Sequence, residues 1–267
     1  MFEAKLKEGI LLKKLIESIK ELVTDINFDI SPTGISLQAM DSSHVALVTL
    51  NLTSEGFESY RCDRPMTLGV SITHLSKIMK CGGNDDSITL KAEEEPSCLY
   101  IIFENKSKKL KFKLELKKLS EFNLSLITID SEHLGIPETQ YGSEITMSSS
   151  EFTRICRELY QLSETVSIET NKQYVKFAVT GEVVGGSVKL DVNEVSGTKD
   201  DYITIKVDES VNLSFALRYL NMFTKASSLS EQVNLFLSSE YPLMVEYKLN
   251  NLGNLRFFLA PRIKETD

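Results

Sequence analysis

From Ile10 to Val23 apolar residues fall at Leu11, Leu12, Leu15, Ile16, Ile19, Leu22 and Val23, the spacing of a helix that buries one face. The pattern then switches to alternation. Phe28-Asp29-Ile30 and Ile35-Ser36-Leu37 flank Ser31-Pro32-Thr33-Gly34, two strands around a turn built of turn-forming residues. Val45 to Leu50 alternates again. Met66 to Val70 reads as a strand, and Ile72, Leu75, Ile78 and Met79 mark a short helix that Gly82-Gly83-Asn84-Asp85 ends. Ile88 to Leu90 and Leu99 to Phe103 are further strands.

The second half repeats this order. Ile145 to Met147 reads as a strand, and Ser148-Ser149-Ser150 stands where a cap is expected. A helix follows with Phe152, Ile155, Cys156, Leu159 and Leu162 on one face. Ile168, Val175, Phe177 and Val179 make a hairpin about Asn171-Lys172-Gln173. Val211 to Phe215 is a strand, Leu217, Leu220 and Phe223 mark a helix, and Val233 to Leu237 and Leu243 to Leu249 close the chain as strands.

One fixed shift carries Met66, Leu68, Val70, Leu75, Ile78 and Lys80 onto Val211, Leu213, Phe215, Leu220, Phe223 and Lys225. A different shift carries Leu12, Lys14, Leu15, Ile19 and Leu22 onto Phe152, Arg154, Ile155, Leu159 and Leu162. Two matched pairs in the same order indicate an internal duplication. The fold class expected is α+β, with two similar domains, each of two helices packed on antiparallel sheet. The expected limits are an N-terminal domain over 1–124, a connector over 125–143 and a C-terminal domain over 144–267.

Composition narrows the function. The 267 residues, 42% hydrophobic, suffice for two ordinary domains, and no apolar run approaches the roughly 20 residues of a membrane span. Met1-Phe2-Glu3-Ala4-Lys5 lacks the form of a secretory signal. Cys62, Cys81, Cys98 and Cys156 are scattered and unaccompanied by a histidine cluster. Neither a metal site nor a disulfide framework is expected, and a reduced intracellular compartment fits.

Asp41, Ser42, Ser43 and His44 stand close together and invite a catalytic reading. A nucleophile, its base and the group that orients the base must meet in space, whereas near neighbours on an extended chain point apart. Nor does a G-x-S-x-G elbow expose a strained serine. No catalytic residue and no cofactor are expected. The stretch is read instead as a polar loop rimmed by Met40, Val45 and Leu47, set beside another apolar surface.

The net charge of −8 argues on average against nucleic acid, but the cations are segregated. The first helix carries Lys13, Lys14 and Lys20, the second Lys77 and Lys80, the third Arg154 and Arg157, and the fourth Arg218 and Lys225. Glu17, Glu21 and Glu158 dilute this pattern. Matched positions in a duplicated unit predict a basic stripe suited to sequence-independent phosphate contacts. Phe152 and Phe223 fall on the apolar faces, so duplex backbone rather than stacked bases is the expected target.

Several stretches then carry a family resemblance: Met1-Phe2-Glu3-Ala4, Leu37 to Val45, Ser54-Glu55-Gly56-Phe57, Tyr60-Arg61-Cys62-Asp63-Arg64 and Leu134-Gly135-Ile136-Pro137-Glu138. Phe152 to Arg157, Phe215 to Asn221, Val245-Glu246-Tyr247-Lys248 and Leu259-Ala260-Pro261 continue it almost to the end. The chain resembles the proliferating cell nuclear antigen family of eukaryotic DNA sliding clamps. The resemblance implies a nuclear homotrimer, a closed ring with helices lining the hole, that encircles double-stranded DNA as a processivity factor. It implies DNA-facing roles for Lys14, Lys20, Lys77, Lys80, Arg154, Arg157, Arg218 and Lys225.

It also implies a docking pocket from Met40, His44, Val45, Leu47, Leu134, Ile136, Pro137, Tyr141, Pro242, Leu259, Ala260 and Pro261. The expected occupants are Gln-x-x-hydrophobic-x-x-aromatic-aromatic peptides (PIP boxes) of the clamp loader, DNA polymerase delta, flap endonuclease, DNA ligase and other replication and repair proteins. Lys172 matches the family's modifier-accepting lysine. Subunits are expected to join strand 181–190 to a neighbour's strand 119–125, with Leu159 and Leu162 packed there. A heteromeric checkpoint-clamp subunit and a protein-interaction module without DNA function are the alternatives. The chain departs from the family in the lysine-rich run Asn105 to Leu119, which is longer than the family pattern, and at Tyr241, Phe258 and Arg262 around the pocket.

Overall fold

A computed structural model describes residues 1–105, 118–130, 134–135, 140–181, 183–191 and 203–262. The alternating run Leu110 to Leu116, and Ile136 and Pro137 of the connector, lie outside the described residues. The chain forms two compact units. The first comprises Met1–Ala39, Thr49–His133 and Leu249–Asn254, and the second Met40–Val48, Leu134–Lys248 and Leu255–Asp267. Neither unit is one continuous stretch of chain.

The first unit opens with β1 (Phe2–Leu6) and α1 (Gly9–Ile19). Next come β2 (Asp25–Ser31), β3 (Gly34–Met40), β4 (Ala46–Thr53), β5 (Ser59–Cys62) and β6 (Met66–Ser71), with Met40–Val48 assigned to the second unit. The unit then runs through α2 (Ile72–Met79), β7 (Ser87–Ala92), β8 (Cys98–Asn105) and β9 (Lys118–Ser125). β1 lies between β5 and β7 in a five-stranded antiparallel sheet of order β5-β1-β7-β8-β9. Leu12, Leu15, Ile16 and Ile19 of α1 and Ile72, Leu75 and Met79 of α2 are all buried, so each helix spends its apolar stripe on the core. α1 and α2 pack on one another.

The second unit contains β10 (Ser143–Ser148), α3 (Ser149–Tyr160), β11 (Thr165–Thr170), β12 (Tyr174–Thr180) and β13 (Gly185–Asp191). It continues with β14 (Thr204–Val207), β15 (Val211–Ala216), α4 (Leu217–Phe223), β16 (Gln232–Leu237), β17 (Leu243–Lys248) and β18 (Gly253–Leu259). β13-β12-β11-β15 form an antiparallel sheet, and β14-β10-β16-β17-β18 run in that order in another. α3 and α4 pack together, and the Asn221 amide of α4 donates to the Cys156 carbonyl of α3 at 3.3 Å. Phe223 stacks on Phe257 at 4.6 Å in the core beneath.

Strand register bears out the duplication. In the first unit Ile26 pairs with Val70, Phe28 with Leu68 and Ile30 with Met66. Their counterparts pair identically in the second: Val166 with Phe215, Ile168 with Leu213 and Thr170 with Val211. A one-residue slip in either copy would turn its apolar side chains to the wrong face, so equal register is a stronger sign of repetition than equal element order.

Three expectations are corrected. Ser148 occupies the N-cap of α3 but makes no side-chain cap bond, because its hydroxyl pairs with that of Ser150 at 2.7 Å. Lys225 lies in the 3-10 turn Thr224–Leu229 beyond α4. A further strand, β18, follows the run at Leu243–Leu249. Its Arg256 interrupts the apolar pattern because it bonds the buried Glu246 carboxylate at 2.8 Å, and a buried charge requires such a partner.

Candidate docking cavity and basic helix faces

The turn between β3 and β4 is organised by one carboxylate. Asp41 is only 6% exposed. Its Oδ1 accepts the backbone N–H groups of Val45 at 2.8 Å and Ala46 at 2.7 Å, and its Oδ2 accepts that of Ser43 at 3.0 Å. The Tyr219 hydroxyl donates to Oδ2 at 2.8 Å. Burial pushes the Asp41 carboxyl up, but bonds from Ala46, Tyr219, Val45 and Ser43 outweigh it and hold the group below its ordinary value. The turn closes with backbone bonds from Asp41 N–H to the Ala46 carbonyl and from His44 N–H to the Asp41 carbonyl. His44 takes φ 57°, a left-handed conformation that a non-glycine residue holds only when its surroundings impose it. The Asp41 carboxylate is thus occupied by backbone amides and a phenol, and the arrangement reads as loop architecture.

Against this turn lies a cavity of about 340 Å³, within the range of pockets that bind small ligands and anchor side chains. It is lined by Met40, His44, Val45, Ala46, Leu47, Leu134, Gly135, Tyr141, Tyr241, Pro242, Phe258 and Ala260, all in the second unit. The Ala260 N–H donates to the Val45 carbonyl at 3.1 Å, tying the end of β18 to the turn. Tyr141 packs edge-on to Tyr241 at 6.2 Å and against Phe236 at 5.7 Å, making one aromatic wall. Leu134 remains 42% exposed at the cavity.

Of the pocket residues named from the sequence, Met40, His44, Val45, Leu47, Leu134, Tyr141, Pro242 and Ala260 meet at this cavity. Leu259 does not, because it is wholly buried. Alternation along β18 points Phe258 and the following Ala260 to the cavity and Leu259 away. Pro261 is not among the lining residues. Ala46, Gly135, Tyr241 and Phe258 complete the wall. Tyr241 and Phe258 are positions around the pocket at which the sequence departs from the family pattern.

The cations lie on the helices or just past their C-terminal ends: Lys20 and Lys80 are at the C-caps of α1 and α2, and Lys225 follows α4. Lys77, Lys80, Arg154, Arg157, Arg218 and Lys225 are exposed, and Lys14 and Lys20 are half-buried. Lys13 reaches the Gly82 carbonyl at 3.5 Å. In the first unit Glu17 sits between α1 and α2, paired with Lys20, 3.9 Å from Lys80 and accepting from the Ser76 hydroxyl at 2.7 Å. Burial raises the Glu17 pKa, yet the bonds from Lys20 and Ser76 bring it below the ordinary carboxylate value. In the second unit Arg154 is held by Glu151 at 2.6 Å and Glu158 at 3.6 Å. Lys77, Arg157 and Lys225 form no ion pair with a described residue.

Two sheet edges carry uncovered apolar side chains. β9 is an edge strand of the first unit and bears Leu119 at 59% exposure. β13 is an edge strand of the second, and near it Val183 is 94% exposed. Tyr160 and Leu162, at and just past the end of α3, are also exposed, whereas Leu159 is buried in the unit's own core. Lys172 is exposed at the tip of the β11–β12 hairpin, which the Asn171 side chain closes by accepting the Gln173 and Tyr174 N–H groups at 2.8 and 3.0 Å.

Among the described residues no cluster of His, Cys, Asp or Glu could hold a metal ion, and no helix is long and apolar enough to cross a membrane. Family comparison matches residues 1–133 to the N-terminal domain of proliferating cell nuclear antigen and residues 135–262 to its C-terminal domain. Duplicated register, paired helices on antiparallel sheet and these two matches agree, and the chain belongs to the proliferating cell nuclear antigen family of DNA sliding clamps.

Proposed function

We propose that this clamp closes as a homotrimer around duplex DNA in the nucleus and serves as processivity factor and docking platform for replication and repair proteins. The observation that carries the docking role is the apolar cavity beside the Asp41 turn, with Leu134 uncovered and an aromatic wall at Tyr141 and Tyr241. Such a cavity suits the hydrophobic and aromatic anchors of a Gln-x-x-hydrophobic-x-x-aromatic-aromatic peptide. The expected carriers are the clamp loader, DNA polymerase delta, flap endonuclease and DNA ligase.

Ring closure is supported by the two edge strands. Among the described residues β9 and β13 each pair on one side only and stand beside exposed apolar residues, and unlike edges that pair head to tail assemble into a ring when the rotation closes. The basic faces of α1 to α4 then supply weak phosphate contacts that permit sliding. As a clamp the chain needs no catalytic residue and no cofactor, and exposed Lys172 is a site for modifier attachment.

Sedimentation equilibrium and peptide titration test these parts separately. The expected solution mass is about three times the 30.1 kDa chain; a stable monomer at micromolar concentration contradicts the ring. His44→Glu is expected to weaken peptide binding with the trimer intact, and unchanged affinity contradicts docking at this cavity.

A further inference from the structure

Arg218 and Asp41 stand at the two ends of a hydrogen-bonded chain through Tyr219. Tyr219, in the first turn of α4, is 4% exposed. Its hydroxyl accepts from Arg218 Nη2 at 3.0 Å and donates to Asp41 Oδ2 at 2.8 Å. The Arg218 guanidinium also lies 4.7 Å from the centre of the Tyr219 ring, close enough for a cation–π contact. Arg218 itself is exposed on the basic face of α4. Neither Tyr219 nor Arg218 lines the cavity, and neither does Asp41.

A carboxylate is a rigid plane, so fixing one oxygen limits where the groups on the other can sit. Tyr219 holds Oδ2, and Oδ1 receives the Val45 and Ala46 amides. The backbone from Ser43 to Ala46, including the left-handed His44, is therefore oriented from α4. Met40, His44, Val45, Ala46 and Leu47 are the cavity wall that this backbone carries. An arginine donating to a phenol oxygen makes its O–H a stronger donor, because linked hydrogen bonds polarise one another.

We propose that Tyr219 is a positioning residue for partner docking, acting through Asp41, and that Arg218 orients Tyr219, so that the basic face and the docking cavity of the second unit are energetically coupled. The inference rests on the docking function proposed above. It makes a cation assigned to DNA a contributor to peptide affinity at a cavity it does not touch. Coupling of this kind is reciprocal.

The test is a double-mutant cycle on full-length protein, read by fluorescence anisotropy with a labelled synthetic peptide of pattern Gln-x-x-Leu-x-x-Phe-Phe. Tyr219→Phe keeps the ring and removes only the hydroxyl, and is expected to weaken binding about fivefold, because Asp41 keeps its three amide donors and only part of the lost bond reaches the cavity wall. Arg218→Gln is expected to weaken binding about twofold in the wild-type background and not at all beside Tyr219→Phe, the non-additivity of a shared network. Without peptide, hydrogen exchange at the Ser43, Val45 and Ala46 amides is expected to quicken in both single variants. A Tyr219→Phe affinity equal to wild type overturns the inference, as does an Arg218→Gln effect of the same size in both backgrounds. Wild-type protein that fails to bind the peptide overturns the docking function and this inference together.

Discussion

The docking cavity and the basic helix faces are built on opposite physical plans. At the cavity, a buried carboxylate spends both oxygens on four donors and holds a left-handed residue in place. Both oxygens of that carboxylate have fixed partners. On the helix faces most of the cations are exposed, and Lys20, Lys80 and Arg154 share theirs with nearby glutamates, pairs that contribute little at a solvated surface. A rigid cavity recognises one shape of partner; a loose charged face holds a polyanion without choosing its sequence. Under the proposed function the chain separates specificity from attachment.

The sharpest way to break this contrast is Asp41→Ala. It leaves three amides and the Tyr219 hydroxyl without their acceptor, and the loss of hydrogen bonds to a charged group, partly recovered by water, is expected to cost about 3 kcal/mol. Peptide binding should fall at least tenfold in an anisotropy titration while the solution mass stays unchanged. Retained affinity would show that the turn does not shape the cavity.

Acidification is a milder form of the same break. The Asp41 carboxyl is held below its ordinary value in the folded protein. Its contribution is therefore fully present above the unfolded value, near pH 4, and is lost as pH falls through the depressed folded value. Affinity for an amidated peptide lacking Asp and Glu should stay level down to about pH 5 and decline only below about pH 4. A decline centred well above pH 5 would assign control of the turn to another group.

The smallest effects belong to the helix faces. Arg157→Ala should lower the slope of log retention on DNA against log salt by about 1, the share of one phosphate contact. Arg154→Ala should lower it by less, because Glu151 and Glu158 already offset that charge. Equal slopes for the two variants would mean that the local ion pairs do not matter. Neither substitution should move the melting temperature appreciably.

Much of this architecture is legible in the sequence. The periods of Leu12 to Ile19 and of Phe152 to Leu159 identify α1 and α3, because a helix on a sheet needs one continuous apolar stripe. The two shifts between the halves anticipate the equal registers of β2–β6 and β11–β15. What is hidden depends on contacts distant in sequence. Asp41 meets Tyr219 across 178 positions, and no local pattern links them. β18 is masked by Arg256, whose partner Glu246 is on the neighbouring strand. Resemblance supplied Met40, His44 and Tyr141 at the cavity, whereas the place of Leu259 in the core follows from strand alternation that resemblance does not carry.

Under the proposed function the cavity recruits partners to a ring that the helix faces keep centred on DNA. The direct measurement is to load the protein onto nicked circular duplex with its clamp loader, then linearise the circle and follow the bound fraction. Retention on the circle with rapid loss from the free ends after cutting is the predicted result. Equal retention on circular and linear DNA would contradict encirclement and show that the basic faces bind by affinity alone.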